Sequence, residues 1–148
     1  MKRALWLFIL VLPVFALSPD LPRASSASVV CSGKWLSYEP ATVKLTGMIE
    51  RQFVYGPPNF GEDPSNDSKG DILVLVLDRG INVGTGQDII DEPEKCVTRL
   101  QLVFPIVPDD AAGRRVTVVG RLFHSHTGHH FTSVLVDVEA IFQGAEKV

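Results

Sequence analysis

The sequence predicts an all-β domain, a small five-stranded barrel of the OB type with at most one short helical turn. Three observations carry that expectation. Apolar and polar residues alternate with a period of two in several short runs, as in half-buried strands. Beyond the first residues no long stretch repeats with helical period. Segments rich in Gly, Pro, Asn and Asp separate the runs, the punctuation of a small barrel that hides its strand edges by partial closure. A small β-sandwich is the rival for the same strand count.

The chain opens with Lys2 and Arg3, then Ala4–Leu17, an apolar run of 14 residues broken by Pro13, then small residues. That order of charge, apolar stretch and small-residue site is a secretory signal peptide over 1–27, cut after Ala27. The run falls short of the roughly 20 residues that a membrane span needs. The mature part, 28–148, is one domain with 11 basic and 16 acidic residues, net −5. Such a balance disfavours a phosphate backbone as partner, and Arg114, Arg115 and Arg121 read as an exposed strand face.

The elements follow in order. Val43, Leu45, Gly47 and Ile49 alternate with Lys44, Thr46 and Met48 in a first strand, and Gly47 marks a bulge or bend. Residues 56–71, GPPNFGEDPSNDSKGD, form a loop whose acidic residues read as a solvated linker. ILVLVL, 72–77, has strand length; DRG turns the chain, and 84–95 is another loop. CVTRLQLVF, 96–104, is a strand ended by Pro105 and Pro108, and 109–114 has room for one helical turn. RVTVVGRLFHSH and HFTSVLVDVEAIF close the chain as a hairpin around Thr127 and Gly128.

Two cysteines, Cys31 and Cys96, lie in the mature part. An exported chain meets an oxidising compartment, so a Cys31–Cys96 disulfide is expected, with free thiols as the alternative.

All four histidines fall in FHSHTGHH, residues 123–130. Valines and leucines at even positions on both arms define the core face, so even must pair with even. The simplest such register pairs His126 with His130, His124 with Thr132 and Leu122 with Val134. It puts His124, His126 and His130 on one face at the barrel end, with His129 in the loop. Three imidazoles there would hold Zn or Cu and leave a position open. The other readings are a surface for a protein or small ligand of the cell envelope, with Phe123 and Thr127 beside the histidines, and a structural hairpin tip. Phe53, Tyr55 and Phe60 extend that surface or pack as ordinary core and loop residues. Ser125 points away from both flanking histidines on a strand, and no nucleophile, acid and base assemble. The expectation is a non-enzymatic protein.

YEPATVKLTGMIERQFVYGPPNFGE, DILVLVLDRGINV, EPEKCVTRLQLVF and GRRVTVVGRLFHSHTGHHFTSVLVDVEAI together resemble a small bacterial exported family known only as a domain of unknown function (number 4431). The resemblance spans Tyr38 to Ile141, and FHxHTGHH is its most specific part, matched at Phe123, His124, His126, Thr127, Gly128, His129 and His130. Phe131 departs from it, standing where a further polar residue is usual. The resemblance implies bacterial export, a compact β domain and a shared binding role for the hairpin tip. It supplies no activity.

The expectation is therefore a periplasmic or secreted binding domain with its contact surface at Phe123, His124, His126, Thr127, His129 and His130. It has no nucleic-acid partner and no membrane span after signal cleavage. The alternatives are a Zn- or Cu-binding periplasmic protein using His124, His126 and His130, and an inhibitor or immunity-type protein of an envelope enzyme.

Overall fold

The structure is a computed structural model and describes residues 30–104 and 111–143. The signal peptide expected over 1–27 lies outside the described residues, as do Asp109 and Asp110 of the expected helical turn. Among the described residues there is no helix, and so none long and apolar enough to cross a membrane.

Six strands share one sheet: β1 (Cys31–Leu36), β2 (Thr42–Tyr55), β3 (Lys69–Val83), β4 (Glu94–Val103), β5 (Arg115–His124) and β6 (Val134–Gln143). β2, β3 and β4 run as an antiparallel meander. β5 returns to pair with the first half of β2, and β6 joins β5 antiparallel and β4 parallel. The pairings thus close a five-stranded ring, the small all-β barrel expected, with OB-type connectivity.

One strand was not expected. β1 adds to β3 in parallel, beside Gly80–Val83, where β2 has already left β3 for β5. Its sequence, CSGKWL, lacks alternation, and its support comes from elsewhere: the Cys31–Cys96 disulfide, with Cα atoms 5.3 Å apart, ties it to β4. The disulfide reading is thereby borne out.

Alternation explains the core. Val43, Leu45 and Ile49 of β2, Leu73, Leu75 and Leu77 of β3, Leu100 and Leu102 of β4, Val116, Val118 and Leu122 of β5, and Val134, Val136 and Val138 of β6 point inward. Gly47 is the bend. It pairs with Leu77 on one side and Val116 on the other, and a Cβ there would come within 2.2 Å of the Val76 carbonyl oxygen. DRG does not turn the chain: β3 runs straight through Asp78, Arg79 and Gly80, and the irregularity appears as a slip in its pairing with β4.

The closing hairpin departs from the expected register. His124 pairs with Val134 and Leu122 with Val136, two residues from the arrangement inferred above. Parity is preserved, so the same valines stay inside, but the connection lengthens to 125–133. A bulge at Glu139, between the Val119–Ala140 and Gly120–Val138 pairs, then reverses parity. Beyond it Ile141 packs on the core, and Phe142, at an even position like the buried valines, is exposed.

Candidate functional site

The lengthened 125–133 connection determines the site. Val74 on β3, Gln101 on β4, Leu135 on β6 and Phe123 on β5 follow one another across the outer face of the barrel. Outward residues should be wet, yet Val74 and Leu135 are 0% exposed. They lie outside the core cluster on either side of Gln101, and the 125–133 loop folds back over that face. Burying each stabilises by about 1.5–3 kcal/mol, which offsets part of the cost of ordering the loop.

Gln101 pins the loop. Its side-chain oxygen accepts the Phe131 N–H at 2.8 Å, its side-chain nitrogen donates to the His129 carbonyl at 3.0 Å, and its own N–H donates to Thr132 Oγ1 at 2.9 Å. At the apex Thr127 makes a turn: its carbonyl accepts the His130 N–H at 3.1 Å, and its hydroxyl accepts the His129 N–H at 3.3 Å.

The histidines divide into two groups. His126 and His130 stand edge to face with centroids 4.6 Å apart, and Phe123 packs against both, 6.0 and 5.4 Å away. The His126 N–H donates to His130 Nδ1 at 3.1 Å, so that nitrogen carries no proton and His130 is neutral here. Burial is the first cause that lowers the His130 pKa, followed by its neighbours His126 and His129. His126 Nδ1 in turn donates to the His124 carbonyl at 3.1 Å. His124 lies on the other side of the strand. Its ring meets Tyr38 at 6.2 Å, and its Nε2 lies 3.4 Å from Glu94 Oε1.

The shared face of His124, His126 and His130 is therefore corrected. It required the shorter register, whereas in the formed hairpin His124 keeps the inward parity and the other two leave the strand with Phe123 on the outer face. Among the described residues no group of three or more His, Cys, Asp or Glu side chains is disposed to hold a metal ion.

Tyr38, in the YEP motif, plugs the end of the barrel. It is buried and donates to the Glu92 carbonyl at 2.9 Å. Burial, then the charges of Glu94, Asp91 and Glu92, push its pKa up to about 12.

A second loop completes the site. Residues 56–68 are no solvated linker. Gly56 donates to the Ser68 carbonyl at 2.8 Å and Ser68 to that of Pro57 at 2.9 Å, closing the loop at its base. Asp67 is buried inside it and accepts the backbone N–H groups of Asn59 and Gly61, each at 2.7 Å, and of Asp63 at 3.2 Å. Burial raises the Asp67 pKa, but those bonds outweigh it and the net shift is downward. The loop holds Phe60 at a positive φ of 53°, with its ring over the other loop's apex: a Cβ on Gly128 would come within 2.6 Å of Phe60 Cζ. Between the loops lies a cavity of about 270 Å³ lined in part by Gln101, His129, Phe131, Lys69 and Asp71.

Of the residues expected at the site, Phe123, His126, Thr127, His129 and His130 come together and His124 does not join them. Phe60 joins from the second loop, while Phe53 packs edge to face on Tyr55 with centroids 5.0 Å apart. Sequence reasoning missed Gln101 and Asp67. Gln101 had a signal, a lone amide between apolar residues on an outward position of LQLVF.

Fold and site define a small all-β barrel with two loops meeting over its outer face. Residues 99–141, from β4 to near the end of β6, match the model of a family described as a domain of unknown function (DUF4431). The resemblance drawn from the sequence holds over this segment, which contains Gln101 and the whole of FHSHTGHH. No curated protein and no solved structure matches the chain.

Proposed function

We propose that the protein is an exported, non-enzymatic binding domain of the cell envelope whose contact surface is the 125–133 loop joined to the 56–68 loop. The observation that carries this reading is the ring of Phe60 seated over Gly128. It brings together two loops that are each braced by their own hydrogen bonds, with Phe60 of one beside the Thr127–His129 apex of the other. Preorganised loops on a barrel favour binding, because little ordering remains to be done when a ligand arrives. The imidazoles add to that preorganisation: His126 Nδ1 donates to the His124 carbonyl and His130 Nδ1 accepts the His126 N–H, which fixes both rings. Export is supported by the signal-like first 27 residues and agrees with the disulfide.

The test is site-specific photo-crosslinking in the producing cell. A photoreactive residue at His126 and another at Phe60 should trap the same protein or glycan, and one at Glu50, on the β2 strand outside both loops, should not. Equal labelling from all three positions, or none from the first two, would remove the reading.

A further inference from the structure

Of the six strands, β1 alone lies outside the ring, and its side chains give it little hold. From Cys31 to Leu36 none is fully buried: Cys31 and Trp35 are exposed, and only Ser32 and Leu36 are half-buried. Its ladder with β3 is interrupted by a register slip between Cys31 and Trp35. Polar bonds hold its backbone. Gly80 donates to the Val30 carbonyl at 3.1 Å, Gly84 to the Leu36 carbonyl at 2.9 Å, and Asn82 Nδ2 to the Ser32 carbonyl at 3.0 Å. Just past β1 the chain is firm again, because Tyr38 is buried and the Glu39 N–H donates to the Leu122 carbonyl at 2.8 Å. β1 is therefore a lightly packed strand fixed at one end by Tyr38 and at the other by the disulfide to Cys96.

The two sulfurs sit in different surroundings. Between the Ile81–Val97 and Val83–Glu94 pairs, β4 carries one residue more than β3, and Cys96 stands in that bulge with a φ of +54°. Glycine takes this left-handed conformation freely, whereas a cysteine there is held against its preference by its neighbours. Those neighbours are Cys31, through the disulfide, and Asn82, whose Oδ1 accepts the Cys96 N–H at 3.0 Å. A Cβ on Gly80 would come within 3.0 Å of Cys96 Sγ, so this sulfur lies close against β3. Cys31, by contrast, is exposed. A disulfide that is exposed at one end and strained at the other belongs to the reducible kind.

We propose that the Cys31–Cys96 disulfide is a redox latch, which a protein dithiol opens in the folded protein to release β1 as far as Tyr38 and bare the β3 edge at Gly80–Val83. A thiolate of the dithiol attacks Cys31 Sγ, the accessible sulfur. The Cys31–Cys96 bond breaks, and Cys96 leaves as a thiolate. The second thiol of the dithiol then attacks the mixed disulfide, and Cys31 leaves in turn. Two electrons pass to the cysteines, the dithiol becomes a disulfide, and its two protons end on the cysteine thiols. Cys96 is then free to leave the left-handed conformation, while the ring, which does not include β1, stays closed. The latch does not rest on the paired loops of the proposed function.

The test is reduction of the purified oxidised protein by dithiothreitol without denaturant, followed by alkylation and mass measurement. The rate should double when the dithiol is doubled, with no plateau at the rate of global unfolding. Glutathione, a monothiol, should be trapped on Cys31 with the alkyl group on Cys96, as peptide mapping reads. After full reduction, hydrogen exchange should show protection lost at the Gly80 and Gly84 amides and kept at Leu75 and Leu100 in the ring. A rate that saturates at global unfolding, glutathione on Cys96, protection that persists at Gly80 and Gly84, or protection lost in the ring as well would each overturn the inference.

Discussion

Gln101 and Phe131 are joined across the outer face of the barrel: the side-chain oxygen of one accepts the backbone N–H of the other at 2.8 Å. Through that bond and its partner to the His129 carbonyl, a β4 side chain decides where the histidine loop lies. Gln101→Leu keeps the volume and removes both bonds. It should cost about 2–3 kcal/mol, because two backbone groups lose partners beneath a loop. Urea denaturation reads the loss. Hydrogen exchange at the Phe131 amide should accelerate, and unchanged protection there would refute this role.

Gly128 tells a different story. The atom that a Cβ would strike is the far end of the Phe60 ring, on an exposed and movable side chain. Gly128→Ala should therefore cost under about 1 kcal/mol while lifting Phe60 off the apex. Contacts between the Phe60 ring and residue 128 in NMR spectra should vanish with the melting temperature almost unchanged. A large drop in stability would mean that the ring cannot move.

Acid should loosen the 125–133 loop. The folded state lowers the His130 pKa below 6.5, so the unfolded chain binds its proton more readily. The contribution of this group is fully present above about pH 6.5 and is lost as pH falls from there through the folded value. Protonation of Nδ1 also ends its acceptance of the His126 N–H. Exchange at the His126 amide should rise at pH 5 relative to pH 7.5. His130→Asn, whose side-chain oxygen can take the same bond without titrating, should flatten that dependence.

Asp67 should behave as the keystone of the other loop. Asp67→Ala removes the acceptor for three N–H groups at once. The expected outcome is rapid protease cleavage within 56–68 while the barrel strands stay intact. In the wild type the same loop should weaken as pH drops below about 4, since a carboxylate with a lowered pKa gives its stabilisation above the unfolded value and loses it as pH falls through the folded one. A loop that resists protease after the substitution would show that its base bonds suffice.

The disulfide closes a sequence separation of 65 residues. In the chain-entropy account its removal should cost about 4 kcal/mol. Cys31→Ser with Cys96→Ser should free β1, and amide exchange should rise at Gly80 and Gly84, which donate to Val30 and Leu36. The five-stranded ring does not include β1, so circular dichroism should keep its β signature at room temperature.

The strands of the ring were legible because their inward positions alternate: Leu73, Leu75 and Leu77 opposite Leu100 and Leu102 leave little choice of face. The hairpin register was legible only in parity. Even-with-even pairing admits both His124–Thr132 and His124–Val134, and the shorter loop is the simpler choice. What selects the longer one is tertiary: Val74, Leu135 and Phe123 need cover on the outside, and no local pattern announces an outer cluster. β1 was hidden for a related reason, being held by a covalent bond and by Asn82, which donates to the Ser32 carbonyl at 3.0 Å. Asp67 looked like one solvated acid among several, because an acceptor for backbone groups three-dimensionally gathered around it leaves no spacing in the sequence.

The ring closes through the parallel pairing of β4 with β6, Gln101 to Leu135 and Leu102 to Val136. Without β6 the ring is an open meander with unsealed sheet edges, and the histidine loop has no complete outer face to lie on. Ring and loop-covered outer face are completed by the same pairing, so a chain truncated before Val134 would display neither.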